Sequence, residues 1–590
     1  MPRRKIKTKK RDKMTANVNK ILPPPCKNCN LLNFNKLSVL FYLIFLFNPF
    51  AAFSQSIETI ANSRAVTMGG SLAFNDNLEF LTDSISNYYC LSGSYNTKFF
   101  GVVDVPVSFA YTNNTLTKNL ALPFNRFSLN PSYKEYTLYA GFNSMNFSKF
   151  TMSGHDYFGG GFAYSGDVWT VETFFGRLRK AVQPDSLATD VGYARLGGGL
   201  KIGYKSEKYN ISANVIKIKD RKKSVNFDDF PDQFVFPKDN IASSIAIETQ
   251  LFGNLIVSGE YAVSSVQETG QSTAESQKSK SVVYQAVEAS LAYSFESSSI
   301  GVSYDRLPPD YETLGGYYFS EDEEQISMNL ATTIAEKYQL SGDFGYRHDN
   351  VDNQQVTTNK SFAYSLNLSA TPIERLSVGA GINNDQSYVN LKDNLEQLTM
   401  MSDFEDLDTN EYSRLNLTTN LNVNYTMKES EILSNSFYSS FSYNTTSDKQ
   451  RYDTTSANSR IYNLNFGTNT VFKIPKISVG FNVGLSQTDS YSQCYKMLTL
   501  TGSLSKNFEN GISLSGAYTY AGTKSDTLQS AVTNVRTSAS YALFKKHNLG
   551  LTFCYIHNPM SKALKNRYTL SVNYSYGFTI IGDKKKGGNE

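Results

Sequence analysis

Residues 568–580, YTLSVNYSYGFTI, decide the fold of this chain. An apolar or aromatic residue occupies every second position from Tyr568 to Ile580, and Thr, Ser, Asn or Gly occupies the positions between. A period of two indicates a β-strand, because successive side chains of a strand point to opposite faces. The segment therefore predicts a strand with one apolar face and one polar face.

The same alternation recurs in short runs from residue 86 to residue 581. Pairs of runs are joined by turn sequences such as Asn510-Gly511, which favours a type I′ hairpin turn, and longer polar stretches separate the pairs. Short turns on one rim and long loops on the other are typical of transmembrane β-barrels. The sequence predicts an all-β fold: a single large antiparallel transmembrane barrel over 86–581. We expect about 24 strands, within a range of about 20 to 26, with short periplasmic turns and long extracellular loops.

Two other architectures fit the sequence less well. A helical membrane protein needs apolar stretches of about 18 residues or more, and none follows residue 54. A repeat solenoid is the alternative β architecture, but no motif recurs at a fixed period. The segment 143–170 interrupts the alternation, and its turns cannot be assigned from the sequence.

The N-terminus resembles an export signal. A long basic stretch precedes the apolar run 37–47, and Ala52-Phe53-Ser54 offers small residues before a cleavage point. We interpret residues 1–54 as a signal peptide with a long basic n-region; the alternative, a membrane anchor, is disfavoured because the apolar run is too short to span a bilayer. Residues 55–85 are either a short periplasmic segment or a first strand. The charged tail 582–590 is predicted to be disordered.

The overall charge is dominated by this leader. Eleven of the chain's 57 Lys and Arg residues, but one of its 53 acidic residues, lie in 1–54, so the remainder carries a net charge of about −6. Nucleic acid is therefore not expected as a partner. Beyond the leader, Cys90, Cys494 and Cys554 leave open either one disulfide or three thiols.

One strand gives the clearest prediction of a wet lumen. Leu415, Leu417, Leu421, Val423 and Tyr425 would face lipid, and the intervening polar residues would then face the barrel interior. Such polar groups would each need partners in a dry core. The predicted lumen-lining residues are Asn416, Thr418, Asn420, Asn422 and Asn424.

An acidic cluster in the longest predicted loop is a weak candidate for a calcium site. Oxygen ligands at this density can hold Ca²⁺, but the spacing lacks the Asp-x-Asp-x-Asp-Gly rhythm of a known calcium loop. The alternative is a solvated acidic loop, and no other cofactor is expected. The candidate ligands are Asp403, Glu405, Asp406 and Asp408.

Enzyme motifs are scarce. The four histidines form no His-x-x-x-His or His-Glu-x-x-His arrangement, and no Gly-x-Ser-x-Gly is present. We therefore expect that the protein is not an enzyme.

Two blocks of sequence are less generic than the rest. One includes Phe124-Asn125-Arg126-Phe127, Met145-Asn146-Phe147-Ser148 and Ser153-Gly154-His155; the other runs from Asp310 to Phe319 and is followed downstream by Phe404–Thr409. Their order resembles large outer-membrane β-barrel proteins of the Bacteroidota, a family of uncharacterised function. The resemblance covers about residues 85–430. It implies the same fold and the outer membrane of a Gram-negative cell, and it brings no catalytic residues.

Two functional hypotheses follow. The first is a transport or pore-type barrel, or one associated with export. A barrel this wide would leak, so we expect loops or a partner to occlude it. Loops such as 384–411, or a periplasmic or outer-membrane partner protein, would provide the occlusion, and outer-membrane lipid would surround the barrel. The alternative is a non-conducting scaffold for secretion or surface proteins.

Overall fold

The computed structural model describes most of the chain after residue 64. The predicted signal peptide 1–54 and the predicted disordered tail 582–590 lie outside the described residues. The described ranges are 65–80, 85–113, 126–184, 191–268, 281–316, 322–355, 358–390, 412–450, 458–490, 493–526, 529–544, 546–560 and 565–581.

The described residues form strands almost throughout, as the period-two pattern predicts. Helical structure there is confined to two 3₁₀ turns, Lys222–Ser224 and Pro231–Gln233. None of the described helices is long and apolar enough to cross a membrane. The strands are β1 (Val66–Phe80), β2 (Ile85–Phe99), β3 (Val103–Thr112), β4 (Arg126–Leu129), β5 (Ser132–Tyr133), β6 (Tyr136–Met145), β7 (His155–Ser165), β8 (Trp169–Arg179), β9 (Arg195–Lys205), β10 (Tyr209–Asp220), β11 (Lys238–Leu251), β12 (Leu255–Glu268), β13 (Ser281–Phe295), β14 (Ser298–Leu307), β15 (Glu323–Ile334), β16 (Tyr338–His348), β17 (Thr358–Ile373), β18 (Leu376–Asn390), β19 (Tyr412–Glu429), β20 (Leu433–Gln450), β21 (Asn458–Phe472), β22 (Ile477–Ser490), β23 (Gln493–Asn507), β24 (Ile512–Lys524), β25 (Gln529–Leu543), β26 (His547–His557) and β27 (Asn566–Ile581).

These strands close into one antiparallel barrel. Each strand pairs with its neighbour in sequence, and β1 pairs with β27, which completes the ring. The short strands β4 and β5 both pair with β3 and β6, so together they fill a single position. The barrel therefore has 26 strand positions among the described residues, close to the predicted 24. Closure leaves no open sheet edge, which is the condition for a sheet in lipid.

The barrel begins earlier than the predicted boundary at residue 86. Strand β1 lies inside the segment 55–85, for which the sequence allowed either a strand or a periplasmic segment, and it pairs with β2 and β27 along its length. The hairpin predicted at Asn510-Gly511 lies between β23 and β24. Its four-residue connection 508–511 has a positive φ at Gly511, +84°, and not at Asn510, so the predicted type I′ turn is wrong.

The two rims of the barrel differ in their connections. One edge, the short-turn rim, carries brief turns such as 166–168, 206–208 and 252–254, and the opposite edge carries longer connections such as 146–154 and 221–237. Two of the longer connections fold back against the inner wall, and they create the largest buried region among the described residues.

The two faces of the wall have opposite chemistry. Outward-facing residues such as Val215, Ile245 and Tyr261 are exposed, whereas their neighbours Asn214 and Ser244 are buried on the inner face. An exposed apolar exterior around a polar interior is the pattern of a barrel that sits in lipid.

Candidate functional site: two inward loops and the lumen wall

The first inward loop, residues 146–154, connects β6 to β7. Phe150 and Met152 are fully buried, although a loop on a barrel rim would ordinarily be exposed. Its backbone closes on itself, because the Phe147 N–H donates a hydrogen bond to the Met152 carbonyl at 2.8 Å. The Thr151 hydroxyl donates to the Asn214 side-chain oxygen on β10 at 2.7 Å. The loop is thus attached to the lumen wall through both apolar and polar contacts.

The second inward loop, residues 308–316, follows β14. Its Tyr311 and Leu314 side chains are buried, and the Leu314 N–H donates to the Asn240 side-chain oxygen at 3.1 Å. The Ser264 hydroxyl donates to the Glu312 carbonyl at 2.5 Å. Strands β11 and β12 therefore hold this loop, next to the strand that holds the first one.

The two inward loops also bind each other. The Tyr311 hydroxyl donates to the Phe150 carbonyl at 2.9 Å, and the Thr313 hydroxyl donates to the Thr151 carbonyl at 2.7 Å. A Cβ atom at Gly315 would lie 2.4 Å from the Thr151 carbonyl oxygen, so only glycine allows this approach. The loops form one body, which we name the plug (residues 146–154 and 308–316).

The wall beneath the plug is unusual for a lumen because large apolar side chains face inward. Ile216 and Ile218 of β10 are fully buried, and Phe174 and Leu178 of β8 are nearly so. They pack with Leu314 of the plug in one apolar cluster. We name this surface, the inward side chains of β6–β14, the packed wall. Burial of each large apolar side chain stabilises the docked plug by about 1.5–3 kcal/mol.

Polar groups of the packed wall are paired before they meet the plug. The Asn214 side-chain amide donates to the Ser244 hydroxyl at 2.8 Å, and the Asn240 amide donates to the Ser264 hydroxyl at 2.8 Å. All four residues are buried. Buried polar groups without partners are costly, and here the plug supplies the remaining partners. The hydrogen bonds therefore fix the position of the plug on the wall, and the buried apolar area stabilises the docked state.

The plug also carries a charge onto an acidic row. Glu260, Glu288 and Asp305 lie directly opposite one another on β12, β13 and β14. The Lys149 ammonium of the plug lies 2.6 Å from Asp305 and 3.4 Å from Glu288. Like charges directly opposite in a sheet repel, so the positive charge of this lysine reduces the repulsion among the three carboxylates.

The ionisation of two plug residues reflects this contact. Burial disfavours the charged form of Lys149, but the hydrogen bond and charge of Asp305 and the charge of Glu288 outweigh it and raise the Lys149 pKa. Burial, with the negative charge of Glu260, raises the pKa of Tyr311. Lys149 is thus held charged and Tyr311 neutral. A second ion pair, Lys238 to Glu312 at 2.6 Å, binds the other loop.

The predicted lumen residues of β19 lie on the same face as the plug. Their face can be followed along directly paired residues. Inward pairs run from Asn214 through Ser244, Ala262 and Ala286, then through Glu288, Asp305, Gln325 and Arg347, and then through Ser341, Asn367, Gly381 and Asn420. Asn416, Thr418, Asn422 and Asn424 share this face because they alternate with it along the strand.

This part of the wall is hydrophilic. Asn420 and Asn422 line a cavity of 670 Å³ together with Ser341, Asn367 and Gly379. Asn416 accepts a hydrogen bond from the Thr446 hydroxyl at 3.0 Å, whereas the outward Leu421 is exposed. We name the inward side chains of β17–β27 the polar wall.

The predicted occluding loop is not the one that the structure describes folding inward. Of residues 384–411, the first seven belong to strand β18, and 391–411 lie outside the described residues. The inward loops are 146–154 and 308–316 instead. The signal was present in the sequence: 143–170 interrupts the alternation, and both loops overlap the two distinctive blocks.

The other candidate sites gain no partners from the described structure. The predicted calcium ligands Asp403, Glu405, Asp406 and Asp408 lie outside the described residues. Within the described ranges, no group of three or more His, Cys, Asp or Glu side chains could hold a metal ion. Cys90, Cys494 and Cys554 are all described, and they are free thiols.

Comparison with known proteins gives a resemblance in fold alone. No family model and no curated protein matches the chain. Among solved structures, the P pilus usher (PapC) translocation pore is similar with a TM-score of 0.35 and 10% identity over 87% of this chain and 100% of that one. The FrpB iron transporter from Neisseria meningitidis gives 0.37 and 10% over 89% and 83%. Pseudomonas aeruginosa OpdQ gives 0.26 and 10% over 88% and 98%.

Proposed function

We propose that the protein is an outer-membrane pore that passes hydrophilic solutes between the plug and the polar wall. The observation that carries this proposal is the plug itself: two loops bound to each other and to one side of the lumen, opposite a wall of Asn, Ser, Thr and Gly. The plug narrows a barrel that would otherwise leak. The exposed apolar exterior and the export signal of the sequence support the outer membrane as the location.

The plug is docked firmly, and this favours a fixed constriction of the lumen rather than a movable gate. Phe150, Met152 and Tyr311 are each fully buried, and the hydrogen bonds of the plug to β10, β11 and β12 would all break together if the plug moved. Passage would then follow the polar wall, where hydroxyl and amide groups replace the water shell of a solute at little cost. No catalytic step is part of this proposal.

Conductance in planar bilayers tests the proposal directly. We expect the purified protein to give discrete current steps, and the double variant Phe150→Ala/Tyr311→Ala to give larger ones because its plug no longer docks. Tyr293→Ala is the matched control, since this aromatic residue is exposed on the outward face. No current from either the parent protein or the double variant would rule out the pore.

One observation favours the alternative, a non-conducting scaffold. Charges at the edge of the polar wall are neutralised across neighbouring strands, as in the pairs Arg414–Asp448 at 3.0 Å and Arg567–Glu79 at 2.6 Å. A charge-selective pore would instead present ladders of opposite sign. Purification from native membranes distinguishes the two functions, because a scaffold would retain a partner protein at a fixed ratio.

A further inference from the structure

The short-turn rim has two unlike arcs. Each of four successive turns between β19 and β26 carries an exposed large apolar side chain, within the turn or at its end; we name these turns the apolar arc and these side chains its tips. The tips are Ile432, Ile474, Phe508 and Phe544. The turns 206–208, 296–297, 335–337 and 374–375 each contain a glutamate and no large apolar side chain; we name these the glutamate arc. Its tips are Glu207, Glu296, Glu336 and Glu374.

The apolar tips do not stabilise the barrel by packing against it. Ile474 is 71% exposed and Phe544 is 80% exposed, so neither packs against the rest of the barrel. Phe544 has a φ of +52°, but Glu336 of the glutamate arc has a φ of +56°, so this backbone conformation belongs to short turns of both arcs. Large apolar side chains that are exposed in several successive turns indicate a contact outside the chain. Exposed apolar residues also occur in other turns of this rim, at Phe100, Val168 and Phe252, so what distinguishes the apolar arc is that four such turns follow one another.

Charge separates the arcs in the same direction. The four turns of the apolar arc contain four lysines and two glutamates, whereas the four turns of the glutamate arc contain three basic residues and four glutamates. Lys476 and Lys546 are exposed beside the apolar tips, and the Lys506 ammonium lies 4.8 Å from the centre of the Phe508 ring. An apolar tip next to a cation suits the boundary between acyl chains and anionic head groups.

The apolar arc is continuous with the outward face of the barrel. The chain runs from exposed Phe472 through the tip Ile474 to exposed Val479 and Phe481, without a polar gap on that face other than the lysines. The same strands become polar toward the opposite rim, at Gln487 and Asp489. The lipid-facing surface therefore extends over this edge of the barrel.

We propose that the apolar arc is a binding surface for anionic phospholipid head groups, which anchors one side of the short-turn rim more deeply than the other. The glutamate arc would stay in water, because anionic lipid repels its tips. This inference rests on the membrane location proposed above. It adds a lipid-binding surface. It also predicts that the short-turn rim lies deeper in the membrane on the side of the polar wall than on the side of the packed wall.

Tryptophan fluorescence tests this surface, because the chain contains a single native tryptophan, Trp169. In a Trp169→Phe background, we place one tryptophan at the apolar arc (Phe544→Trp), at the glutamate arc (Glu336→Trp) or on the outward face (Leu551→Trp). Each variant is reconstituted in vesicles of phosphatidylethanolamine and phosphatidylglycerol, with bromine near the head-group end of the phosphatidylglycerol chains. Far-UV circular dichroism verifies the β-fold of every variant.

We expect Phe544→Trp to emit at shorter wavelength than Glu336→Trp and to be quenched by the brominated lipid. Iodide in the buffer should quench Glu336→Trp instead. Replacing phosphatidylglycerol by phosphatidylcholine should reduce the protection of Phe544→Trp from iodide, because the lysines then lose their anionic partners.

Two results would overturn the inference, and they differ from a failure of the membrane proposal. If iodide reaches Phe544→Trp as readily as Glu336→Trp while brominated lipid quenches Leu551→Trp, the barrel is in the membrane but the apolar arc is not. If Phe544→Trp is protected only in native membranes, a protein covers the arc in place of lipid. If lipid fails to quench Leu551→Trp, the membrane location itself is wrong.

Discussion

The packed wall and the polar wall share one fold but use their inward faces in opposite ways. Both are antiparallel strands in a continuous register with apolar residues outside. On the packed wall the inward face carries Ile216, Ile218 and Phe174 under the plug, and on the polar wall it carries Asn, Ser, Thr and Gly. Strand pairing therefore sets which residues face inward, whereas the connections of the rim decide whether those residues are buried.

Removing a buried aromatic ring should separate the two walls most clearly. Tyr311→Ala deletes a fully buried side chain and the hydrogen bond to Phe150, and we expect the docked plug to lose about 3–5 kcal/mol. Trypsin should then cleave after Lys149, where we expect the docked plug of the parent protein to resist cleavage. The matched change on the polar wall, Tyr438→Ala, should leave Lys149 protected. Resistance of Tyr311→Ala to trypsin would show that the plug does not depend on this contact.

Adding one methyl group should distinguish the walls next. In Gly315→Ala the new Cβ would meet the Thr151 carbonyl at 2.4 Å and Ile216 at 2.8 Å, so we expect a loss of about 1–3 kcal/mol in plug stability. Gly379 on the polar wall has no atom within 4 Å of that position, and Gly379→Ala should change stability by less than about 0.5 kcal/mol. Chemical unfolding measures both, and equal effects would contradict the contrast.

Loss of a single amide gives a smaller test. Asn214→Ala removes the side chain that the Thr151 and Ser244 hydroxyls share and leaves both with Ser148 alone, at a cost of about 1–3 kcal/mol, because water has little access to the buried site. Asn465→Ala on the polar wall removes a hydrogen bond to Ser440, which water can replace. Hydrogen exchange of the plug amides should rise in the first variant alone.

Alkaline pH should weaken the docking of the plug, and we expect this effect to be smaller than those of the three substitutions. Both Lys149 and Tyr311 have a raised pKa in the docked state, so their contribution is complete below the ordinary values of 10.5 and 10.0 and is lost as the pH rises beyond the raised values. The half-exposed position of Lys149 keeps its share modest. We expect conductance to increase above pH 10.5, and less steeply in Lys149→Met. A pH-independent conductance would contradict this coupling.

The period-two pattern carried most of the fold, because side-chain alternation is a local property of a strand. The prediction that Asn416, Thr418, Asn420, Asn422 and Asn424 share one face of β19 rests on this alternation alone. The plug does not follow from the alternation, because Phe150 and Tyr311 lie 161 positions apart in the sequence, and neither segment has a regular period. The only signals of the plug in the sequence were the interrupted alternation over 143–170 and the two less generic blocks.

The sequence by itself determined a wall of antiparallel strands, the side of each strand that meets apolar surroundings and the approximate number of strands. Only the tertiary structure decided that the ring has 26 positions, that β1 seals it against β27, and that two distant loops meet inside. The reason is physical: alternation is fixed by neighbouring residues along the chain, whereas closure and docking depend on contacts between residues that the sequence keeps far apart.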